Sequence, residues 1–250
     1  MRYVAIGDSF TEGLGDPMPD GIMRGWADLV AAGLAAGSGD TVEYANFAVR
    51  GRLLEPIVTE QLEAALALSP KPTLLSLNGG GNDMLRPGGD TSRLIALTEQ
   101  ALRRCDEEGV RVLLLSGADP SARLPFGGAM RRKAEELTQG VAAFADKFDI
   151  TFVDMFHDAE IRRAGYWSPD RLHLNAYGHQ RVAGKVLEAL GYPTEAHMID
   201  PGPDEPRRVL SEAKYYREHV LPWINRRLRG RSSGDLRTGK YLDWVAITAA

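Results

Sequence analysis

Short apolar runs alternate along this chain with longer stretches in which apolar residues recur every three or four positions. The runs Tyr3 to Ile6, Val42 to Asn46, Thr73 to Leu77, Val110 to Leu115 and Ile150 to Val153 have the length and composition of strands. Between them, Trp26 to Ala36, Leu53 to Leu68, Ser92 to Glu108 and Ala129 to Lys147 carry helical periodicity, and a last helix is predicted from about Ala176 to Leu190. Five strands each followed by a helix predict a parallel sheet covered on both faces, a three-layer α/β/α domain. Leu74-Leu75-Ser76-Leu77 and Val112-Leu113-Leu114-Leu115 are too continuously apolar for a sheet with one wet face, and read as buried central strands.

In the flavodoxin-like order 2-1-3-4-5, the carboxyl ends of strands 1, 2 and 3 meet at one crevice, where ligands of such sheets bind. Strand 5 would then be an edge roughly 14 Å from strand 1. The long connection from Asp154 to His173 must cross back over the sheet, and a connection of that length in a compact domain is more often functional than idle.

The pattern changes at Pro201-Gly202-Pro203-Asp204-Glu205-Pro206, a linker-like run that divides a domain over 1–199 from an extension over 200–250. From Arg207 to Lys240 ten Lys and Arg stand against three Asp and Glu. Val209, Ala213, Tyr216, Val220 and Trp223 fall at helical spacing, which predicts a basic helical extension packed on the core, broken or restarted at Pro222. The other reading of this basic tract is recruitment to an acidic surface such as anionic lipid.

Composition narrows the classes. With 250 residues and 44% apolar content the chain can bury a full core. A formal net charge of -4 gives no overall basic character of the kind nucleic-acid binding needs. The single cysteine, Cys105, excludes disulfide frameworks and cysteine-based metal sites. No apolar run reaches the eighteen residues of a membrane span. Met1 is followed almost at once by the first strand, leaving no room for a secretory leader, so a cytoplasmic location is expected if Met1 is the native start. Oligomeric state leaves no mark in the sequence.

Candidate chemistry sits at the strand ends. Ser9 closes the first apolar run, and Asp170-Arg171-Leu172-His173 lies far downstream. A serine hydroxyl attacks a carbonyl when an imidazole takes its proton and a third group orients that imidazole, so these residues suggest a serine hydrolase. Donors for an oxyanion are available in Asn46-Phe47-Ala48-Val49-Arg50-Gly51, after strand 2, and in Gly79-Gly80-Gly81-Asn82-Asp83, after strand 3. Each motif also has a plain reading. Ser9-Phe10-Thr11-Glu12 fits a helix capping box, Asp170 to His173 a turn before a helix capped by Asn175, and Gly79 to Gly81 a loose strand-to-helix turn or a phosphate cradle. A phosphate-binding P-loop is excluded because no Gly-Lys-Ser/Thr follows, and no G-x-G-x-x-G opens the first helix.

Taken together, the motifs resemble the SGNH or GDSL hydrolases (GDSL-like lipases, acylhydrolases and esterases). Gly7-Asp8-Ser9-Phe10 is similar to the family's first block, with Phe10 where leucine is usual. Asn46 to Gly51 is similar to the second, Gly80-Gly81-Asn82-Asp83 to the third and Asp170 to His173 to the fifth, in the family's order over roughly residues 1–195. The resemblance implies Ser9 as nucleophile, His173 as general base and Asp170 as its orienter. It implies an oxyanion hole made by the backbone N–H groups of Ser9 and Gly51 and the Asn82 amide. It implies hydrolysis of a carboxylic ester, with no cofactor or metal, and the lack of a lid-like insertion narrows the substrate to small or medium esters. A thioester or a sugar acetate as substrate, on the same machinery, and a non-catalytic binding module are the alternatives. Asp8 and Asp83 would hydrogen-bond the site's loops.

The remaining candidates carry less. His179 lies inside the last helix and reads as a surface or packing histidine; His157, His197 and His219 have no partners at metal-ligand spacing and are given no chemistry. Tyr166 and Trp167 either wall the substrate pocket or anchor the long connection in the core. No large lid-like insertion follows the motifs, which predicts a shallow, open site.

Overall fold

Alternation within each strand decides how the molecule is layered. The computed structural model describes residues 1–86, 89–124, 127–192, 194–203, 214–222, 225 and 232–249. In strand β1 (Arg2–Ile6), Tyr3 and Ala5 point into one apolar core and Val4 and Ile6 into another. The first core is closed by helices α2 (Trp26–Ser38) and α8 (Ala176–Ala189). The second is closed by a helical run made of α3 (Leu54–Pro56), a π-helical turn (Ile57–Gln61) and α4 (Leu62–Leu66), with α6 (Thr91–Glu107) and α7 (Gly127–Ala142) beside it. One-turn helices α1 (Ser9–Glu12) and α5 (Gly81–Met84) follow β1 and β3 (Leu74–Leu77) directly.

The sheet runs β5-β4-β3-β1-β2-β6, with β2 (Val42–Asn46), β4 (Arg111–Leu115) and β5 (Ile150–Val153) parallel to β1 and β3. The 2-1-3-4-5 order predicted from the sequence is present. The sheet nevertheless has six strands: β6 (Tyr241–Ile247), in the extension read as helical, pairs antiparallel with β2, with Val42 opposite Ile247 and Tyr44 opposite Val245. A helical segment does occur in the extension, including a π-helical turn Tyr216–Val220. Val209, Ala213 and Trp223 of the proposed stripe lie outside the described residues. Among the described residues no helix is long and apolar enough to cross a membrane.

The extension is pinned where β6 begins. Lys240 Nζ donates to Asp28 Oδ2 at 2.6 Å and to the carbonyls of Met23 and Glu12, with both charged side chains largely covered. Removing the extension takes away Lys240 and the cover over Asp28, and leaves the β2 edge that β6 pairs open to solvent. Truncation after Pro201 is therefore expected to lower Tm by roughly 10 °C and to reduce solubility. Thermal unfolding of the truncated and full-length chains checks this, and unchanged melting would show that the extension adds nothing to stability.

Candidate active site

The carboxyl ends of β1, β2 and β3 are adjacent in the sheet, so the loops that follow them meet. Ser9 is the first residue of α1, and the helix is capped by Asp8 rather than by Ser9: Asp8 Oδ1 accepts the Phe10 N–H at 3.1 Å. The capping-box reading thus fails, and the serine hydroxyl is left for another partner. His173 Nε2 lies 3.1 Å from Ser9 Oγ, and His173 Nδ1 lies 2.6 Å from Asp170 Oδ2. Ser9 and the Asp170–His173 turn, 164 positions apart in the chain, form one hydrogen-bonded line.

Local turn chemistry holds the histidine end. Asp170 Oδ1 accepts the backbone N–H groups of Leu172 and His173, each at 3.0 Å, which leaves Oδ2 for the ring. Arg171 takes the left-handed conformation, φ 62°, to close this turn. Ser168 N–H donates to the His173 carbonyl, and Asn175 caps α8 through the Gly178 N–H, as its position predicts. Desolvation raises the Asp170 carboxyl, but its hydrogen bond and charge interaction with His173 and the two backbone donors outweigh it and hold the group down to about 2. It is therefore ionised throughout the neutral range and fixes the Nδ1–H tautomer of His173.

The predicted oxyanion donors line the same cavity. Ser9, Gly51, Asn82 and His173 all border it. Among the described residues the backbone N–H groups of Ser9 and Gly51 have no protein partner, and Gly51 adopts φ +76°, which favours glycine. The Asn82 amide donates to Asp8 Oδ2 at 3.0 Å and to the Arg52 carbonyl at 3.1 Å. Burial pushes the Asp8 carboxyl up to about 6 against the opposing Phe10 N–H, His173 and Asn82. Asp83 accepts the Leu54 N–H, so both aspartates brace loops as anticipated.

The cavity holds about 200 Å³ and runs inward from Ser9 past Leu77, Leu114, Leu137 and Val141, beneath α7. Residues of α7, among them Ala134, Leu137 and Val141, form one wall of it. Trp167 lines the cavity while its indole N–H donates to the Ile161 carbonyl, whereas Tyr166 is a core residue bonded to the Ile199 carbonyl.

His179 is fully buried. Its Nδ1 accepts the Trp26 N–H at 3.2 Å and its Nε2 donates to the Leu14 carbonyl at 3.3 Å, while burial pushes the imidazole down to about 4. It is a neutral packing group behind Phe10, the residue next to Ser9. His157 is not without partners: Asp154 bonds its Nδ1 at 2.7 Å and Glu135 its Nε2 at 2.8 Å. Two contributors escaped the sequence reading. Gln61, a polar residue inside an apolar helical face, clasps the backbone of Gly7, accepting its N–H at 2.8 Å and donating to its carbonyl at 3.0 Å. The extension reaches the site as well, with Ser233 in the cavity lining and Tyr215 stacked on the Arg171 guanidinium, 4.0 Å from ring centre.

Comparison with known proteins adds to this geometry. The model of the GDSL-like lipase/acylhydrolase family matches residues 5–181. No curated protein sequence matches the chain. Among solved structures, the lipase Lip_vut3 from a goat rumen metagenome is similar at a TM-score of 0.64 and 20% identity, over 77% of this chain and 98% of that one. TesA is similar at 0.62 and 25% identity, over 76% and 98%. A catalytic mutant of Axe2, an acetylxylan esterase from Geobacillus stearothermophilus, is similar at 0.62 and 18% identity, over 77% and 96%.

Proposed function

The chain belongs to the GDSL-like lipase/acylhydrolase family and is a hydrolase acting on esters, and from that premise we propose that it cleaves small to medium carboxylic esters through an acyl-serine intermediate on Ser9. The observation that carries the reading is the continuous line Ser9 Oγ, His173 Nε2, His173 Nδ1, Asp170 Oδ2, at 3.1 and 2.6 Å. Ser9 Oγ attacks the acyl carbon while His173 Nε2 takes its proton. The resulting imidazolium is stabilised by ionised Asp170 and gives the proton to the departing alkoxide as the C–O bond breaks. Water then repeats the sequence, and its attack frees the acid and Ser9.

The tetrahedral oxyanion is received by the unpartnered N–H groups of Ser9 and Gly51 and by the Asn82 amide. Asn82 exchanges one of its present bonds, to Asp8 or to the Arg52 carbonyl, for the developing charge. The apolar cavity beneath α7 has room beyond an acetyl group, which favours an aliphatic acyl chain.

A fluorophosphonate probe is expected to label Ser9 stoichiometrically in the intact chain, and Ser9→Ala should lose both label and turnover. Full labelling of Ser9→Ala would assign the nucleophile elsewhere.

A further inference from the structure

The loop carrying Gly51 is held from two sides, and only one belongs to the residues matched by the family. On that side the Glu12 carboxylate accepts the Arg50 backbone N–H at 2.7 Å and pairs with the Arg50 guanidinium. Glu12 is also the last residue of α1, the helix that begins with Ser9. On the other side stands the extension. A Cβ placed on Gly51 would meet Ser232 Oγ at 2.1 Å, and one placed on Gly234 would meet the Arg50 carbonyl oxygen at 1.9 Å. The turn thus packs backbone to backbone on the residue before Gly51, and on Gly51 itself through the Ser232 hydroxyl.

The turn that makes this contact is internally braced. Ser232 Oγ accepts the Gly234 N–H, Asp235 Oδ2 accepts the Ser232 N–H at 2.9 Å, and Arg237 N–H donates to the Gly234 carbonyl. A few residues on, Lys240 ties the extension to the Glu12 carbonyl at 2.9 Å and to Asp28. Nucleophile helix, Gly51 loop and extension are therefore linked in a closed ring: α1 to Arg50 through Glu12, Arg50 to the 232–234 turn by packing, and the extension back to α1 through Lys240.

A glycine loop with a free N–H gains most from such bracing, because an oxyanion donor acts only within a few tenths of an ångström of the position the charge will occupy. We propose that the C-terminal extension is a working part of the oxyanion site, with Ser232, Gly234 and Lys240 as positioning residues that hold the Arg50–Gly51 loop against Glu12 and keep the Gly51 N–H aimed at the developing charge. The proposal rests on the acyl-serine reading above. It assigns the extension a role in the rate of the chemical step, separate from its share in stability.

Gly234→Ala wedges one methyl between the turn and the Arg50 carbonyl. Expected is a fall in kcat of roughly tenfold or more, a fraction of what loss of a whole oxyanion donor costs, with KM within about twofold. Turnover is counted per Ser9 titrated at the fluorophosphonate end point, so a partly misfolded preparation does not imitate the effect. Ser232→Ala, which keeps the Cβ but removes the hydroxyl seated on Gly51, should lower kcat in the same sense by a smaller factor. Leu236→Ala, on the same turn but fully exposed, should leave kcat unchanged. Unaltered kcat per titrated site in both Gly234→Ala and Ser232→Ala, or a rise in KM alone, would overturn the positioning role while leaving the triad intact. A wild-type protein whose Ser9 does not react would overturn the acyl-serine reading, and this proposal with it.

Discussion

Replacing His173 with alanine is expected to lower kcat on a soluble chromogenic ester by about 10⁴-fold while leaving the fold unchanged. The imidazole is half-buried at the cavity wall, and its backbone turn is set by Asp170 Oδ1 and Ser168 rather than by its ring. Removing the ring therefore deletes the proposed proton acceptor, 3.1 Å from Ser9 Oγ, without dismantling the loop. Asp170→Asn should cost less than His173→Ala, because the base stays in reach although its tautomer and orientation are no longer enforced. Steady-state kinetics of the two variants, with circular dichroism to confirm folding, decide the matter. Wild-type turnover in His173→Ala would remove the assignment.

Asn82→Ala should lower kcat by roughly 10²- to 10³-fold, with KM little changed, because its amide, in the role proposed for it as a donor to the oxyanion, binds the transition state more strongly than the ground state. In the resting structure the amide is committed to Asp8 Oδ2 and the Arg52 carbonyl. Its removal also leaves the buried Asp8 carboxylate with one donor fewer, so Asn82→Asp, which cannot donate when ionised, should be at least as impaired. A kcat/KM loss that resides wholly in KM would assign Asn82 to substrate binding instead.

Much of this molecule was legible in its sequence because the signals are local. Strand and helix order follow from hydrophobic periodicity, which depends only on neighbours along the chain. Continuous runs such as Val112 to Leu115 announce burial on both faces, and Leu113 and Leu114 do enter opposite cores. The placement of Ser9, Gly51 and Asn82 after strands 1, 2 and 3 led to one crevice, and all three border one cavity. The Asn175 cap was readable for the same reason, since it acts on backbone within a short reach, and the loop-bracing roles of Asp8 and Asp83 came with the resemblance: Asp8 accepts the Phe10 N–H and Asp83 the Leu54 N–H.

Spacing alone did not separate two equivalent local motifs; the resemblance named Asp170 and His173, and only the tertiary structure shows why that pair and not the other meets the serine. Asp154-Met155-Phe156-His157 repeats the Asp-x-x-His spacing of Asp170-Arg171-Leu172-His173, and both pairs close the same bond from carboxylate to Nδ1, at 2.7 and 2.6 Å. The difference lies at the other ring nitrogen: His157 Nε2 faces Glu135 of α7, whereas His173 Nε2 faces Ser9. That choice is made by the path of residues 154–173, which leave the edge strand β5 and cross the sheet before turning at Arg171. The seat of the extension was hidden for a related reason. Ser232 and Gly234 matter through contact with Arg50 and Gly51, nearly two hundred residues earlier, and β6 is held by a partner strand whose identity no periodicity encodes. Periodicity and spacing report the forces acting between near neighbours in the chain. Which distant surfaces come together depends on closing both apolar cores and pairing the open edge of β2 at once, and that balance exists only in the folded molecule.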